Sequence, residues 1–297
     1  MKYPQLKTIR DFIRFAASKF TEAGLYFGDG TDNGWDEAVR LVMHTLHLPH
    51  NAYEPSLEAN LTKSEQQKVL ELIELRISKR IPVPYLTHQA WFCGLPFYVD
   101  ERVLIPRSSI GELIEDQFQP WIMSDDVTAI LDLCTGSGCI AIACAKVFPS
   151  AQIDASDISA DALAVAKINT LKHRVQDQVH LYQSDLFASI PKQKYDIIVS
   201  NPPYVSTKEM IDLPAEYLHE PSLGLGAGTK GLNFVNQILR QAAEYLSPHG
   251  ILVMEVGNSE HALTETFPNI PFTWLNFEHS EGGVFLLTTD QLKAQQF

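Results

Sequence analysis

The chain has 297 residues, 45% hydrophobic and 20% charged, with 23 basic against 36 acidic residues and a formal net charge of −13. That length holds two domains and a large core, and the composition is ordinary for a soluble globular protein. No apolar run of about 18 residues occurs, so no membrane span is expected; the acidity argues against a broad nucleic-acid face, which needs a basic surface, and permits a basic protein partner.

Residues 1–88 read as a small helical domain. Phe12, Phe15, Ala16 and Phe20 fall at helical spacing, with Gly24 as a stop. Gly28-Asp29-Gly30-Thr31-Asp32-Asn33-Gly34 is a loop by composition; it lacks the lysine and the preceding strand of a phosphate loop. A second helix is predicted near Trp35–Leu48, capped by Asp32 or Asn33, and a third near Thr62–Arg80. No catalytic constellation lies in this bundle, so its expected task is substrate recognition or packing. His44, His47 and His50 are regularly spaced, but Pro49 ends their helix.

Residues 89–105 read as a linker and β-hairpin, after a stiff Ile81-Pro82-Val83-Pro84-Tyr85 stretch. Aromatic and β-branched residues flank a Gly94-Leu95-Pro96 turn. Ser108 or Ser109 can cap a helix that continues to about Phe118. The segment Val103–Leu113 either covers a site or joins domains.

From Val127 onward strands and helices alternate, the pattern of a parallel sheet, and residues 106–297 read as one α/β domain. Strand Thr128–Leu133 leads into Cys134-Thr135-Gly136-Ser137-Gly138 and then a helix Cys139–Val147. A glycine turn between strand and helix lets a ligand approach the backbone, here a nucleoside cofactor; no Lys-Ser/Thr follows, so it is not an ATP loop. Strand Ala151–Ala155 is followed by Asp157, placed to accept ribose hydroxyls. Strand Gln178–Tyr182 ends in Ser184-Asp185-Leu186-Phe187; Asp185 can accept from an adenine amino group while Leu186 or Phe187 packs on the ring. Either aspartate can instead be a turn or cap residue. Helix Leu232–Leu246, strand Gly250–Val256 and an antiparallel pair near Phe272–Phe277 and Gly283–Thr288 complete the domain. Val205–Lys230 reads as a lid or an ordered insertion.

Strand Tyr195–Ser200 runs into Asn201-Pro202-Pro203-Tyr204. Neither proline donates a backbone hydrogen bond, so the ladder stops there and a stiff turn carries an amide and an aromatic ring. Such a turn suits methylation of a planar nitrogen. Two acceptors, the Asn201 side-chain oxygen and the Pro202 carbonyl, can hold the two hydrogens of an amide or exocyclic amine, and Tyr204 can cover its face. This is positioning plus electrostatic stabilisation, with no strong base.

Cys93, Cys134, Cys139 and Cys144 include no Cys-x-x-Cys pair, and Cys139 and Cys144 would point about 140° apart on a helix, so no metal is expected. The thiols and the start Met1-Lys2-Tyr3-Pro4-Gln5, which lacks an apolar signal core, lead us to expect a cytoplasmic protein.

In this order, Asp132-Leu-Cys-Thr-Gly-Ser-Gly138, Asp157, Asp185 and Asn201-Pro-Pro-Tyr204 resemble the HemK-type protein-(glutamine-N5) methyltransferases. The resemblance covers essentially the whole chain. It implies a Rossmann-like, seven-stranded S-adenosyl-L-methionine-dependent methyltransferase fold with a reversed final hairpin, a helical N-terminal domain and S-adenosyl-L-homocysteine as product. By that resemblance Asp132, Cys134, Thr135, Gly136, Ser137 and Gly138 form the cofactor loop, Asp157 binds ribose, Asp185 with Leu186 and Phe187 binds adenine, and Asn201, Pro202, Pro203 and Tyr204 hold the glutamine, Asn201 also bordering the cofactor. Ile105-Pro-Arg-Ser-Ser-Ile-Gly-Glu112 and Phe27-Gly-Asp-Gly-Thr-Asp-Asn-Gly-Trp-Asp36 look like the branch that acts on the third protein of the large ribosomal subunit, free or in an assembly intermediate. The release-factor branch prefers glycine where Cys134 stands. Asp29 and Ser109 depart from the branch's pattern, which has histidine and proline there. Competing readings are methylation of release factors and amino methylation of a flipped nucleic-acid base, where an exocyclic amine poses the same problem. A non-catalytic cofactor-binding module is a third, against which the intact Asn201 and Tyr204 weigh.

Overall fold

The structure is a computed structural model describing residue 3 and residues 5–28, 30–52, 54–277 and 283–295; Asp29 lies outside them. The chain forms two compact units, Met1–Ala90 with Pro214–His219, and Trp91–Leu213 with Glu220–Phe297.

The first unit contains α1 (Ile9–Glu22), α2 (Gly34–Thr45), α3 (Lys63–Lys79) and a short α4 (Val83–Thr87). Thr8 with Asp11, and Thr62 with Glu65, close capping boxes on α1 and α3, each satisfying two otherwise orphaned backbone donors. Asn33 caps α2 by accepting from the backbone N–H groups of Trp35 and Asp36. The apolar stripes meet in a core that includes Phe12, Ala16, Phe20, Leu41, Val69 and Ile73. The Ile81–Tyr85 stretch is not an extended linker: Pro82 caps α4 and Pro84 sits in its first turn, where a missing N–H costs nothing. Arg76, fully buried, binds Glu37 (Nε–Oε1 3.2 Å), Glu216 (Nη1–Oε1 3.0 Å) and the Tyr26 carbonyl (2.7 Å). Burial pushes the Glu216 carboxyl up, but donation from the Tyr26 N–H and from Arg76 outweighs it and holds the group below its ordinary value.

The hairpin β1 (Ala90–Phe92) and β2 (Leu95–Phe97) follows, all but its first residue belonging to the second unit. Its turn is Cys93-Gly94, at φ 46° and 67°, so Leu95 and Pro96 belong to β2 and not to the turn as the sequence suggested. Then come α5 (Ile110–Glu115), β3 (Ala129–Leu133), α6 (Cys139–Val147), β4 (Gln152–Asp157), α7 (Ala160–His173), β5 (Val179–Gln183) and β6 (Tyr195–Ser200). They are followed by α8 (Glu209–Asp212), α9 (Asn233–Tyr245), β7 (Leu246–Glu255), α10 (Glu260–Thr266), β8 (Thr273–Trp274), β9 (Val284–Thr288) and α11 (Thr289–Lys293). α5 stops short of Phe118 because Gln117 and Phe118 take positive φ.

Seven strands form one sheet in the order β5-β4-β3-β6-β7-β9-β8. All neighbours are parallel except β9, which is antiparallel to both β7 and β8. The reversed pair is present, with β9 inside the sheet and β8 at its edge. Successive residues feed opposite layers: Ile130, Ile153, Ile197 and Val199 belong to one core cluster, Leu131, Leu133, Ile198 and Leu252 to the other. Both faces are covered, which is why these strands read as near-continuous apolar runs.

Candidate active site

Because β4 lies on one side of β3 and β6 on the other, the strand order reverses there, and the crevice outside the carboxyl ends is where such sheets bind ligands. A cavity of about 140 Å³ opens at that point, and every residue lining it belongs to the second unit.

After β3 the chain turns sharply, with Cys134, Gly136 and Gly138 at φ 61°, 55° and 80°. Asp132, fully buried, braces this turn from beneath: its Oδ2 accepts from Thr135 Oγ1 (2.5 Å) and from the Ala141 N–H (3.1 Å). Burial pushes its carboxyl up to about 7. A Cβ on Gly138 would stand 3.2 Å from that of Ala166, so glycine here lets α6 pack on α7. Asn169 secures the turn by donating to the Ser137 carbonyl (2.9 Å).

Asp157 ends β4 and faces the cavity. Its Oδ2 accepts from the Gly136 N–H and its Oδ1 from the Ser159 N–H, both at 2.9 Å, which fixes the carboxylate while each oxygen keeps a further lone pair. Burial raises its pKa, with those backbone donors acting the other way. Asp185 and Leu186 line the next stretch, and the Asp185 side chain has no hydrogen-bond partner among the described residues. Asn201 and Pro203 close the side beneath β6. The Asn201 amide likewise has no partner among the described residues, so the protein does not anchor its NH2.

Of the residues singled out from the sequence, Cys134, Gly136, Asp157, Asp185, Leu186, Asn201 and Pro203 thus line one cavity. Asp132, Thr135, Ser137 and Gly138 do not; they shape the turn from behind. Phe187 is also removed from it, because it is buried and stacked on Tyr245 at 4.6 Å between ring centroids. Pro202, which is buried, and Tyr204 do not line it either; the Tyr204 hydroxyl donates to Glu255 Oε1 at 3.2 Å.

Part of the wall comes from the two segments read from sequence as possible covers, 103–113 and 205–230, although their individual lining residues were not singled out. Val103 and Leu104 precede the Ile-Pro-Arg segment, and Pro221, Leu223 and Gly224 follow Glu220. The two stretches are held together by Arg107, whose Nη1 and Nη2 donate to Glu220 Oε1 (2.8 Å) and Oε2 (3.2 Å), while the Ile105 N–H donates to Oε2 (3.2 Å). Neither stretch has a periodicity that would single out its lining residues, and Ile158, directly after Asp157, is an exposed apolar residue that also lines the cavity. The Val205–Lys230 segment is ordered: the Val205 N–H donates to the Leu225 carbonyl and the Ala227 N–H to that of Val205, both at 2.9 Å.

A fixed carboxylate at one strand end, an unpartnered one at the next, apolar side chains and a close backbone turn fit a nucleoside. An unpartnered amide beside it fits a second, polar reactant. Among the described residues no group of three or more His, Cys, Asp or Glu is arranged to hold a metal ion, and no helix is long and apolar enough to cross a membrane.

Residues 120–222 match the methyltransferase small domain family. The chain is 51% identical over 293 residues to a protein of Neisseria gonorrhoeae named ribosomal protein uL3 glutamine methyltransferase, covering 98% of each. A protein of the same name from Neisseria meningitidis serogroup B is also 51% identical, covering 98% of this chain and 96% of the relative. Among solved structures, the hMettl16 catalytic domain in complex with MAT2A 3'UTR hairpin 6 has a TM-score of 0.51 at 16% identity, over 77% of this chain and 82% of that one. This last likeness is one of fold alone.

Proposed function

The chain belongs to the ribosomal protein uL3 glutamine methyltransferases, and we propose that it methylates the side-chain amide nitrogen of a glutamine in that ribosomal protein, using S-adenosylmethionine. The observation that carries the reading is that Asn201 and Pro203 line the same cavity as Asp157 and Asp185. Nucleoside acceptors and the amide-binding turn therefore share one space.

When bound, S-adenosylmethionine supplies an electrophilic methyl carbon on a sulfonium. Asp157 holds the ribose hydroxyls and Asp185 the adenine amino group, with Leu186 against the ring. The Asn201 oxygen and the Pro202 carbonyl each accept one hydrogen of the glutamine amide. Both acceptors become more favourable as positive charge develops on nitrogen, and so stabilise the transition state more than the ground state. Tyr204 covers the face of the amide. As the nitrogen takes the methyl group, the S–C electron pair stays with sulfur and one amide hydrogen is lost as a proton to water; the N-methylated amide cation is a strong acid, so this needs neither a metal nor a strong base.

We assign recognition of the protein substrate to the helical unit, since no cavity residue comes from it. The net charge of −13 suits a basic ribosomal protein, free or assembling, in the cytoplasm. Incubating purified enzyme with S-adenosylmethionine and uL3, then mapping the product by mass spectrometry, tests the proposal. One added methyl on a glutamine is expected; methylation of release factor or of nucleic acid alone would overturn it.

A further inference from the structure

Glu255 is the last residue of β7 and is buried, yet the scheme above gives it no task. Three donors converge on it. Tyr204 donates to Oε1 at 3.2 Å, while Ser108 Oγ at 2.6 Å and the Ser109 N–H at 3.2 Å donate to Oε2. One edge of the Tyr204 ring, next to the hydroxyl, is confined too. A Cβ on Gly257 would lie 2.5 Å from Tyr204 Cε2, so the backbone of Gly257 lies close against the ring. Ser259 Oγ donates to the Tyr204 carbonyl at 3.0 Å. Ring, hydroxyl and backbone are therefore each held by residues from the carboxyl end of β7 onward.

We propose that Glu255 is a positioning residue for methyl transfer: it fixes the Tyr204 ring over the target amide through the phenol, and Ser108 and Ser109 in turn hold its carboxylate. The inference rests on the reading of Asn201–Tyr204 as the amide-binding turn. A carboxylate bound on two sides cannot follow the phenol if the ring swings, so the ring is kept in one orientation before substrate arrives. Loss of that order misplaces the reacting nitrogen, and a misplacement of about 1 Å costs on the order of a hundredfold in rate. Burial pushes the Glu255 carboxyl up, whereas Ser108, Tyr204, Ser109 and the nearby Arg107 charge favour its anion.

Glu255 does not line the cavity, so its replacement is separable from cofactor binding. The experiment compares Glu255→Gln, Tyr204→Phe and the double variant. In single-turnover methylation of uL3, Glu255→Gln is expected to lose about tenfold to a hundredfold in rate. KM and the affinity for S-adenosylmethionine should stay within about twofold, and the double variant should be no slower than Tyr204→Phe. A Glu255→Gln rate equal to wild type, or losses that multiply in the double variant, overturns the inference. A second arm needs no substrate. Tyrosine-labelled protein is examined by NMR, with the Tyr204 ring signals identified by their absence in Tyr204→Phe. The Tyr204 ring signals should shift in Glu255→Gln as the ring leaves its single position; unchanged ring signals overturn the inference. Should that variant fail to fold, Glu255→Asp, which keeps the charge and withdraws it by one methylene, is read in the same way. Wild-type protein inert toward uL3 would sink the substrate reading while the NMR arm still decides the role of Glu255.

Discussion

Asn201→Ala separates binding from chemistry because of what Asn201 lacks. Its amide has no hydrogen-bond partner among the described residues and its side chain is half-buried, so truncation orphans no donor or acceptor of the protein. Substitutions of that kind change stability by about 0.5 kcal/mol or less. The carboxylates of Asp157 and Asp185 and the Gly136 turn are untouched, so affinity for S-adenosylmethionine should change less than about tenfold, or 1.4 kcal/mol. On the proposed reading, what disappears is one acceptor aimed at charge that develops on nitrogen. Loss of a preorganised contact of this type costs about 2.7–4 kcal/mol of barrier, a hundred- to a thousandfold in rate. Single-turnover kinetics with saturating cofactor, calorimetric titration of the cofactor and a melting curve measure the three quantities independently. A folded Asn201→Ala that binds cofactor and turns over at the wild-type rate would refute the assignment of Asn201 as an amide acceptor.

Three further outcomes are expected. Asp157→Ala should weaken S-adenosylmethionine by about 1.5–3 kcal/mol per lost ribose hydrogen bond, measured by calorimetry; unchanged affinity removes Asp157 from the site. Glu216→Ala leaves the fully buried Arg76 with Glu37 as its remaining carboxylate and should destabilise by about 3 kcal/mol, read from urea unfolding. The folded-state pKa of Asp132, pushed up to about 7, lies above its unfolded value, so the native chain holds that proton more tightly. Its contribution to stability is therefore full below about pH 4 and lost as pH rises through about 7. Asp157 and Glu255, also raised, add the same sign. Asp132→Asn should flatten the decline in urea midpoint between pH 5 and 8, and an unaltered slope would show that Asp132 does not carry it.

Where local pattern and burial agree, the chain was legible. The spans Cys139–Val147 and Tyr195–Ser200 are read from sequence as they stand in the structure, because sheet strands covered on both faces and the helix between them leave long apolar runs. The acids at strand ends and the Asn-Pro-Pro-Tyr turn were legible because each ends an element whose direction is known. The segments that carry Leu104 and Leu223 were legible as possible covers, but the pairing of Arg107 with Glu220 and the contacts of Glu255 were not, since they join positions distant in the chain. One difference between the branches and one departure from the branch's pattern acquire physical content. Cys134 sits at φ 61°, where glycine is unstrained and cysteine is not, which accounts for a glycine preference at that position. Ser109 has φ −63°, an angle proline also adopts, so what serine adds is the N–H that reaches Glu255. The departure at Asp29 lies outside the described residues.

The first unit is not one continuous stretch of chain: its last piece, Pro214–His219, arrives long after Ala90. During synthesis, when domains tend to fold in order of emergence, α1 to α3 can collapse on their apolar stripes early. Arg76 then has Glu37 as its carboxylate partner until Glu216 has been translated. Completion of the amino-terminal unit is thus timed by residues encoded beyond Asn201-Pro202-Pro203-Tyr204. A single cut after Ala90 yields two incomplete halves, one missing its closing segment and the other carrying Pro214–His219 as a stranded insert. Any fragment meant to isolate substrate recognition has to include that segment, and the gene for this enzyme cannot be divided at its apparent domain boundary.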